Sequence, residues 1–435
     1  MFSIFTDFLV SDWSWLWTSC WSGSVFRGSH DSHDTLWMEL PTEIWGHVFS
    51  RILKPADLLR AALVCKEFHS IAVRSLYRDI IYREPRDFLT NATSWQGSLT
   101  LVPQSLVLSI SYLSDSAFSR YDPSVALVDS QGNVDSAHPA ANDPDDPRPP
   151  HFFASHALYS RISDHVSRFQ VLTELVFHNA HLPPQVYHLI KNFPLLENLF
   201  FYDCFLPPKS KDITALDVLP TAPIKRLALW NVRNELDHSA HSVRYALRLA
   251  TIPTIRVLHI DWTHESASYF NNLARGVLPP ITDLSVRMPA QYAWPADLNT
   301  ARARLVDPLI VFLNTVPTVQ RLSVANRLPF CTLHPHALPH LSIYSGPHTS
   351  ILDIATYRNL THLEFRDDDK KSIDVITVLP DLKEVAPGLE SLSLPLRKWD
   401  EEIMYPTTDF FPKLRKLKIL YDEGHPSEVR CPFSH

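Results

Sequence analysis

Glycine is scarce in this chain, with 9 residues among 435. No G-x-G-x-x-G, G-x-x-x-x-G-K-[ST] or G-x-S-x-G pattern occurs, so the backbone chemistry of a phosphate-binding loop or a nucleophile elbow is missing. The H-E-x-x-H pattern of zinc peptidases is absent as well. These absences disfavour an enzyme, and we expect no cofactor.

Cysteine is also rare. The five residues, Cys20, Cys65, Cys204, Cys331 and Cys431, are odd in number, far apart and never spaced as Cys-x-x-Cys. That usage predicts neither a disulfide framework nor a zinc finger. We interpret them as reduced thiols of an intracellular protein, either cytoplasmic or nuclear.

A group of histidines, His334, His336 and His340, is the one candidate for a metal site. Pro335 and Pro339 place this group in a loop, and 22 histidines in the chain make chance clustering the simpler explanation. We therefore predict no metal site.

An excess of basic charge is also missing. The formal net charge of -7 provides no general attraction for nucleic acid or an anionic membrane, so neither partner is expected. The first 37 residues hold five of the eleven tryptophans, but Asp7 and Asp12 interrupt the apolar run and no Lys or Arg precedes it. A signal peptide and a spanning helix are both disfavoured. We predict a disordered, Trp-rich extension over residues 1–37, with a membrane-surface or partner-docking segment as the alternative.

What the chain does contain is a repeated phrase, apolar-x-x-Leu-x-apolar. It begins ten times, at intervals of 19 to 38 residues, at Leu172, Leu196, Ile224, Ile255, Ile281, Val319, Leu338, Leu360, Leu389 and Leu414. Such self-similarity is typical of a solenoid, in which each unit buries its apolar face against its neighbours. Solenoids usually bind other molecules, so the pattern favours a binding protein.

Each phrase shows the alternation expected of a short strand. Helical segments precede most phrases, for example residues 185–192, 242–250 and 266–273, and a proline stands just ahead of seven of them. The sequence thus predicts an α/β fold, with a solenoid over residues 161–435 that has a parallel sheet on its concave face and helices outside. An imperfect early strand begins at Leu106, after Pro103.

Strand side chains on the concave face form the natural ligand surface of such a solenoid. Aromatic and arginine side chains dominate the energetics of protein interfaces, and we place Trp230 and Tyr202 first among them. The candidate target-binding residues are Phe200, Tyr202, Arg226, Trp230, His259, Asp261, Arg287, Arg321, Tyr344, His362 and Arg366. The four arginines form either a phosphate-reading stripe or a solvated face, and a neighbouring loop covering any one candidate is the alternative to ligand contact.

Three short helices are predicted ahead of the repeats, between Met38 and Arg83. Apolar residues recur at helical spacing from Ile44 to Leu53, Pro55 interrupts the pattern, and Asp57 is in place to cap a second helix. Phe68, Ile71, Ala72 and Leu76 lie on one side of a third. A unit this small has a marginal core and tends to depend on a neighbour or a partner chain.

This segment resembles the F-box. The matching residues are Leu40-Pro41-Thr42-Glu43-Ile44, Val48-Phe49, Leu58-Leu59-Arg60, Ala62, Val64-Cys65-Lys66, Phe68-His69, Ile71-Ala72 and Leu76-Tyr77. An F-box over residues 38–84, followed by irregular leucine-rich repeats, is similar to the layout of fungal F-box/leucine-rich-repeat proteins. The segment between them, residues 85–160, is predicted to be a connecting region with a disordered insert near 122–150, where Pro and Asp are dense.

The resemblance implies a non-catalytic substrate receptor of a cullin-based SCF ubiquitin ligase. Such a receptor binds a Skp-type adaptor, and through it the cullin, by its F-box, and holds a protein target on its repeats for ubiquitin-dependent degradation. A scaffold that does not drive ubiquitination is the alternative. Carried over by position, the adaptor contacts are Leu40, Pro41, Ile44, Val48, Leu58, Leu59, Val64 and Cys65. The alternative for several of them, Val48 and Leu59 above all, is a place in the module's own core.

Overall fold

The computed structural model of the chain describes residues 41–52, 54–83, 95, 97–109, 162, 164–182, 186–206, 223–234, 241–273, 278–288, 302–325, 333–347, 350–366, 375–398 and 403–423. The two segments predicted to be disordered, residues 1–37 and about 122–150, lie outside these ranges. The chain divides into two compact units, Met1–Leu196 and Glu197–His435.

The first unit begins with three helices, α1 (Thr42–Ser50), α2 (Pro55–Ala62) and α3 (Lys66–Leu76). This confirms the three-helix prediction. Their small core consists of five buried residues, with Trp45, Ile52, Ala61, Phe68 and Leu76 packed against it. The buried five are Phe49, Leu58, Ala62, Ile71 and Ala72.

Local chemistry sets where these helices begin. Pro55 is the first residue of α2, where the missing N–H has no helical partner to lose. Lys54 is the N-cap of α2, so the predicted cap at Asp57 is wrong, and Asp57 instead pairs with Arg60 at 3.1 Å. Cys65 caps α3, because its Sγ accepts a hydrogen bond from the N–H of Phe68 at 3.4 Å.

Three parallel strands follow in the same unit, in the order β1 (Asp79–Tyr82), β2 (Ser105–Leu108) and β3 (Glu174–His178). The early strand predicted at Leu106 is confirmed as β2, although it ends by residue 108. Strand β1 was not predicted, because it lies within the F-box resemblance. A 3-10 turn (Gly97–Leu101) precedes β2, and the short helix α4 (Val186–Lys191) follows β3.

The second unit is built on nine parallel strands, with a small extra pair beside them. The nine strands, in spatial order, are β4 (Asn198–Tyr202), β6 (Arg226–Trp230), β8 (Val257–Asp261), β9 (Asp283–Arg287), β10 (Arg321–Ala325), β11 (Ile343–Gly346), β12 (His362–Phe365), β13 (Ser391–Lys398) and β14 (Lys416–Glu423). The extra pair is β5 (Phe205–Leu206) with β7 (Arg233–Asn234).

Helical segments are described between six of the eight pairs of neighbouring strands, and the repeat pattern predicted such segments ahead of most phrases. They are α5 (His241–Leu247) with a 3-10 turn (Arg248–Thr251), α6 (His264–Asn271), a π turn (Arg302–Val306) leading into α7 (Asp307–Thr315), α8 (Ile351–Ala355), α9 (Val375–Val385) and α10 (Met404–Phe410). This repeated alternation of strand and helix makes the second unit an α/β solenoid, and the first unit contributes the three-helix module and its own parallel strands.

One residue per repeat fixes the strand register. Within the second unit, the carbonyl at the second position of a phrase accepts hydrogen bonds from two successive N–H groups of the next phrase; for Glu197 these come from Lys225 at 2.7 Å and Arg226 at 3.0 Å. A threonine just ahead of two phrases adds a side-chain bond, since Thr254 Oγ1 donates to the carbonyl of Ile224 at 2.6 Å. The fourth positions therefore align from strand to strand, and Leu199, Leu227 and Leu258 are all buried.

The seventh phrase is an exception to the predicted register. Leu322 pairs with Tyr344, so this phrase begins at Leu341 and not at Leu338. The three-residue error moved Tyr344 onto the predicted ligand face, whereas its side chain is fully buried in the core. Its place as a target-binding residue is therefore wrong. Leu338 itself lies in a tight turn with φ of 50°.

Candidate protein-binding surfaces

Four apolar side chains and one proline of the helical module point into solvent. Ile44 and Val48, one turn apart on α1, are 45% and 44% exposed, and Leu63 and Val64, between α2 and α3, are 75% and 68% exposed. Pro41, just ahead of α1, is exposed as well. We call these five residues the helix patch. Exposed apolar side chains grouped on one small module mark an interaction surface.

The other predicted adaptor contacts are less accessible to a partner or lie outside the described residues. Leu59 and Cys65 are half-buried, and Leu40 lies outside the described residues. Leu58 is 5% exposed and belongs to the module's core, so its side chain is not on the surface. Leu63 was not among the predicted contacts, because in the sequence it continues the apolar spacing of α2; it is the C-cap residue of that helix and is exposed.

On the second unit, the side chains opposite the buried ones form a face that we call the strand face. Four of its aromatic rings adjoin one another across β4, β6 and β8. Phe200 stacks on Tyr202 at 5.9 Å between ring centroids, Tyr202 meets Trp230 at 5.7 Å, and Trp230 stacks on His259 at 5.5 Å. We call these residues the aromatic cluster. The sequence predicted each of the four, and the structure brings them together.

Arg287 and Asp261 hold the far side of this cluster. The Arg287 guanidinium lies 5.1 Å from the Trp230 ring centroid and donates two hydrogen bonds to Asp261, from Nε at 2.8 Å and from a terminal nitrogen at 3.1 Å. Asp261 also accepts a hydrogen bond from the backbone N–H of Asn231. The ion pair therefore borders the Trp230 indole on one side.

Asn231 and Asp203 support this arrangement from equivalent positions of successive repeats. Both adopt left-handed backbone conformations, with φ of 52° and 55°, which Asn and Asp tolerate better than other non-glycine residues. The Asn231 side-chain amide donates to the Asp203 carboxylate. The sequence signal was available, since each residue directly follows the aromatic seventh position of its phrase.

The cluster's charges are set by its surroundings. The hydrogen bond to Asp261 raises the pKa of Arg287, burial opposes that rise, and the charges of Asp261 and Asp203 add to it. Burial lowers the pKa of His259, a shift that Asp283 opposes and Arg226 reinforces. The imidazole is therefore neutral at neutral pH, and the cluster presents aromatic surface bordered by one ion pair.

The remaining predicted target-binding residues are exposed along the strand face. They are Arg226, Arg321, His362 and Arg366. Arg321 lies 3.5 Å from Asp283, and Arg366 lies 3.1 Å from Glu364. Because Arg287, Arg321 and Arg366 each have a carboxylate partner, the structure favours an ion-paired face over a four-arginine phosphate stripe.

Comparison with known proteins agrees with the helical module. Residues 37–83 match the family model described as F-box-like, a range that includes α1, α2, α3 and β1. No curated protein sequence matches the chain. One similar solved structure is titled "Crystal structure of TLR13-ssRNA13 complex", with 13% identity and a TM-score of 0.29 over 59% of this chain and 40% of that one. A TM-score this low supports no inference about fold or function.

The histidine group has an ordinary structural explanation. His334 Nδ1 accepts a hydrogen bond from the N–H of His336 at 3.2 Å, and the Arg358 guanidinium holds the same turn through the carbonyls of His334 and Ala337. Within the described ranges, no three His, Cys, Asp or Glu side chains are grouped as metal ligands. In the same ranges, no helix has both the length and the apolar character needed to cross a membrane.

Proposed function

We propose that this chain is a non-catalytic, intracellular substrate-recognition subunit of a cullin-based SCF ubiquitin ligase, similar to the fungal F-box/leucine-rich-repeat proteins. In this proposal, the F-box module binds a Skp-type adaptor that links it to the cullin, and the strand face binds a protein target. The observation that carries the proposal is the F-box-like match over residues 37–83, in a module that leaves the helix patch exposed.

The helix patch provides the driving force for adaptor binding. Burying a branched aliphatic side chain contributes roughly 1.5–3 kcal/mol, and Ile44 and Val48 are each little more than half buried in the free chain. Leu63 and Val64 are exposed on the same module, and an adaptor that covers all four side chains gains this contribution from each of them. The module's own five-residue core is small, so a partner that covers the patch also stabilises the fold.

The aromatic cluster provides the matching feature for a target. Tyr and Trp are common at the centres of interfaces because their rings bury large areas and lose few rotatable bonds. Here stacking and the Arg287–Asp261 pair hold the rings before any target arrives, which lowers the entropic cost of binding. A receptor of this kind accelerates ubiquitin transfer by raising the effective concentration of its target, without side-chain chemistry of its own.

Co-purification tests the adaptor half of the proposal. Ile44→Ala combined with Val48→Ala removes five buried carbons from the interface, and we expect affinity for a purified Skp-type adaptor to fall by roughly 100-fold, about 3 kcal/mol. Met404→Ala combined with Tyr405→Ala is the matched control, because these exposed apolar side chains lie on α10 in the second unit. Equal affinities for the wild type and the α1 variant refute the adaptor interface.

The same preparation separates a ligase from a scaffold. A ligase subunit retains both adaptor and cullin, and the α1 variant loses both together. Retention of the adaptor without the cullin favours a scaffold that does not drive ubiquitination. Proximity labelling with wild type and Trp230→Ala then identifies the target, which the variant loses while it keeps the adaptor.

A further inference from the structure

A polar surface, separate from the aromatic cluster, lies on the strand face at the carboxy-terminal end of the second unit. Ser391 pairs in register with Lys416, and Ser393 pairs in register with Lys418. We call these four residues the lysine patch. All four stand at third and fifth positions of their phrases, so their side chains leave the same side of the sheet.

The spacing within this patch suits one oxyanion group. Neighbouring parallel strands lie about 4.8 Å apart, and side chains two residues apart on one strand lie about 7 Å apart. The two lysine ammonium groups, on flexible four-carbon stems, can therefore converge on one group above the sheet, with a serine on the neighbouring strand beside each lysine. Lysine provides a flexible point charge for such a group, and serine adds a hydroxyl donor.

The two lysines differ from the arginines beside them in having no ion-pair partner among the described residues. Glu364, on the adjoining strand, is already occupied: its Oε2 accepts hydrogen bonds from Ser345 at 3.0 Å and from Arg366 at 3.1 Å. Burial opposes ionisation of Glu364, but these two bonds and the charges of Arg366 and Lys418 together hold its pKa below the ordinary value. Among the strand-face side chains of β12 to β14 that the structure describes, three cations, Arg366, Lys416 and Lys418, thus stand against the one carboxylate of Glu364, in a chain whose net charge is -7.

Ser393 is the second, independent observation. Its side chain is 8% exposed, and its Oγ makes no hydrogen bond within the described part of the chain. Buried hydroxyls almost always have a partner. An oxyanion placed between Lys418 and Ser393 supplies the missing acceptor.

We propose that the lysine patch binds a phosphate or carboxylate group on the captured protein. The inference rests on the proposed function, since it specifies the chemistry of the target: an acidic or phosphorylated segment that lies across β13 and β14. The aromatic cluster, on β4, β6 and β8, contacts a different part of the same target.

Fluorescence anisotropy of labelled probes tests this inference with the full chain. The probes are hexaglutamate, a peptide of the same length with three phosphoserines, and an oligouridylate of matching charge. Lys416→Glu with Lys418→Glu reverses the patch. Lys413→Glu with Arg415→Glu is the matched control, because it makes the same change of net charge at exposed positions ahead of β14.

We expect at least one acidic peptide to bind the wild type. Its affinity should be about tenfold lower for the patch variant and within about twofold of the wild-type value for the control. Tighter binding of the phosphopeptide identifies phosphate as the ligand group, and tighter binding of hexaglutamate identifies carboxylate. Three outcomes overturn the proposal: equal losses of peptide affinity in the patch variant and the control, tighter binding of the oligouridylate than of the peptides, or no binding of either peptide.

The result stands apart from the proposed function. The patch variant leaves the helix patch and Trp230 intact, so it retains the adaptor whether or not it loses the acidic probes. If the acidic probes do not bind but the chain retains the adaptor and the cullin, only the proposal for the lysine patch is refuted. If the wild-type chain does not bind the adaptor, the proposed function itself is refuted.

Discussion

The Arg287–Asp261 pair is expected to be a main source of stability on the strand face. The Asp261 side chain is 7% exposed and that of Arg287 is 33% exposed, so the pair lies between a surface and a buried ion pair. Exposed pairs contribute roughly 0.2–1 kcal/mol, whereas removing one partner of a buried pair costs roughly 3–5 kcal/mol.

The structure narrows this range for Arg287→Met. The substitution removes two charge-assisted hydrogen bonds and the contact with the Trp230 ring, but Asp261 keeps its bond from the Asn231 N–H and gains access to water. We expect the free energy of unfolding to fall by about 2–3 kcal/mol after discounting for the exposed third of Arg287. For a unit of this size that is a decrease in Tm of roughly 5–10 °C.

A double-mutant cycle isolates the pair from other effects. Urea unfolding, followed by circular dichroism, is measured for the wild type, Arg287→Met, Asp261→Asn and the double variant. We expect a coupling energy of about 1.5 kcal/mol, with the double variant more stable than additivity predicts. Arg321→Met is the control, since that side chain is 55% exposed and lies 3.5 Å from Asp283; its effect is expected to stay within about 0.5 kcal/mol. A coupling energy below about 0.5 kcal/mol refutes the reasoning.

Three further predictions concern single side chains. Burial holds the pKa of His259 below its ordinary value. As the pH falls below about 6.5, the unfolded chain therefore protonates this histidine before the folded chain does. The contribution of neutral His259 to stability is thus present above about pH 6.5 and is lost as the pH falls toward the pKa in the folded chain. His259→Gln should therefore reduce the fall in Tm between about pH 7.5 and pH 5.5, and an unchanged fall contradicts this. Gly346→Ala should destabilise the second unit by about 1–3 kcal/mol in urea unfolding, because the new Cβ would lie 2.5 Å from the Tyr344 hydroxyl; an unchanged midpoint shows that the ring moves freely. Cys65→Ser should maintain or raise the Tm, since serine is a better N-cap than a thiol, whereas Cys65→Val should lower stability by about 1 kcal/mol; equal values for the two variants would exclude a capping role.

Periodicity predicted most of the fold because both periods are local. A strand's alternation and a helix's apolar stripe are set by backbone geometry, so Leu199, Leu227 and Leu258 were identified as buried from spacing alone. Strand β1 was missed for a different reason. Its residues Ile80 and Tyr82 lie within the range assigned to the F-box but beyond its third helix, and only pairing with β2 shows the strand.

The error at the seventh phrase has the same kind of cause. Leu338, Leu341 and Ile343 fit the first, fourth and sixth positions of the phrase, whereas the observed register places Tyr344 at the fourth and Gly346 at the sixth, so the sequence pattern favoured the wrong register. The hydrogen bonds from Ser342 and Ile343 to the Gln320 carbonyl decide the register. A shift of three residues exchanges the two faces of a strand, and this is how a core tyrosine came to be predicted as a ligand contact.

The sequence by itself determined the architecture, the F-box resemblance, the identity of the aromatic residues on the strand face and the apolar residues of α1. It did so because local spacing decides which side of a helix or strand each residue takes. The tertiary structure alone decided that Leu58 is core and that three of the four arginines have carboxylate partners. It also decided that Lys416 and Lys418 stand beside two serines and have no carboxylate partner among the described residues. The first fact depends on how three helices pack together, and the others depend on contacts between neighbouring strands, so all of them exist only in the folded chain.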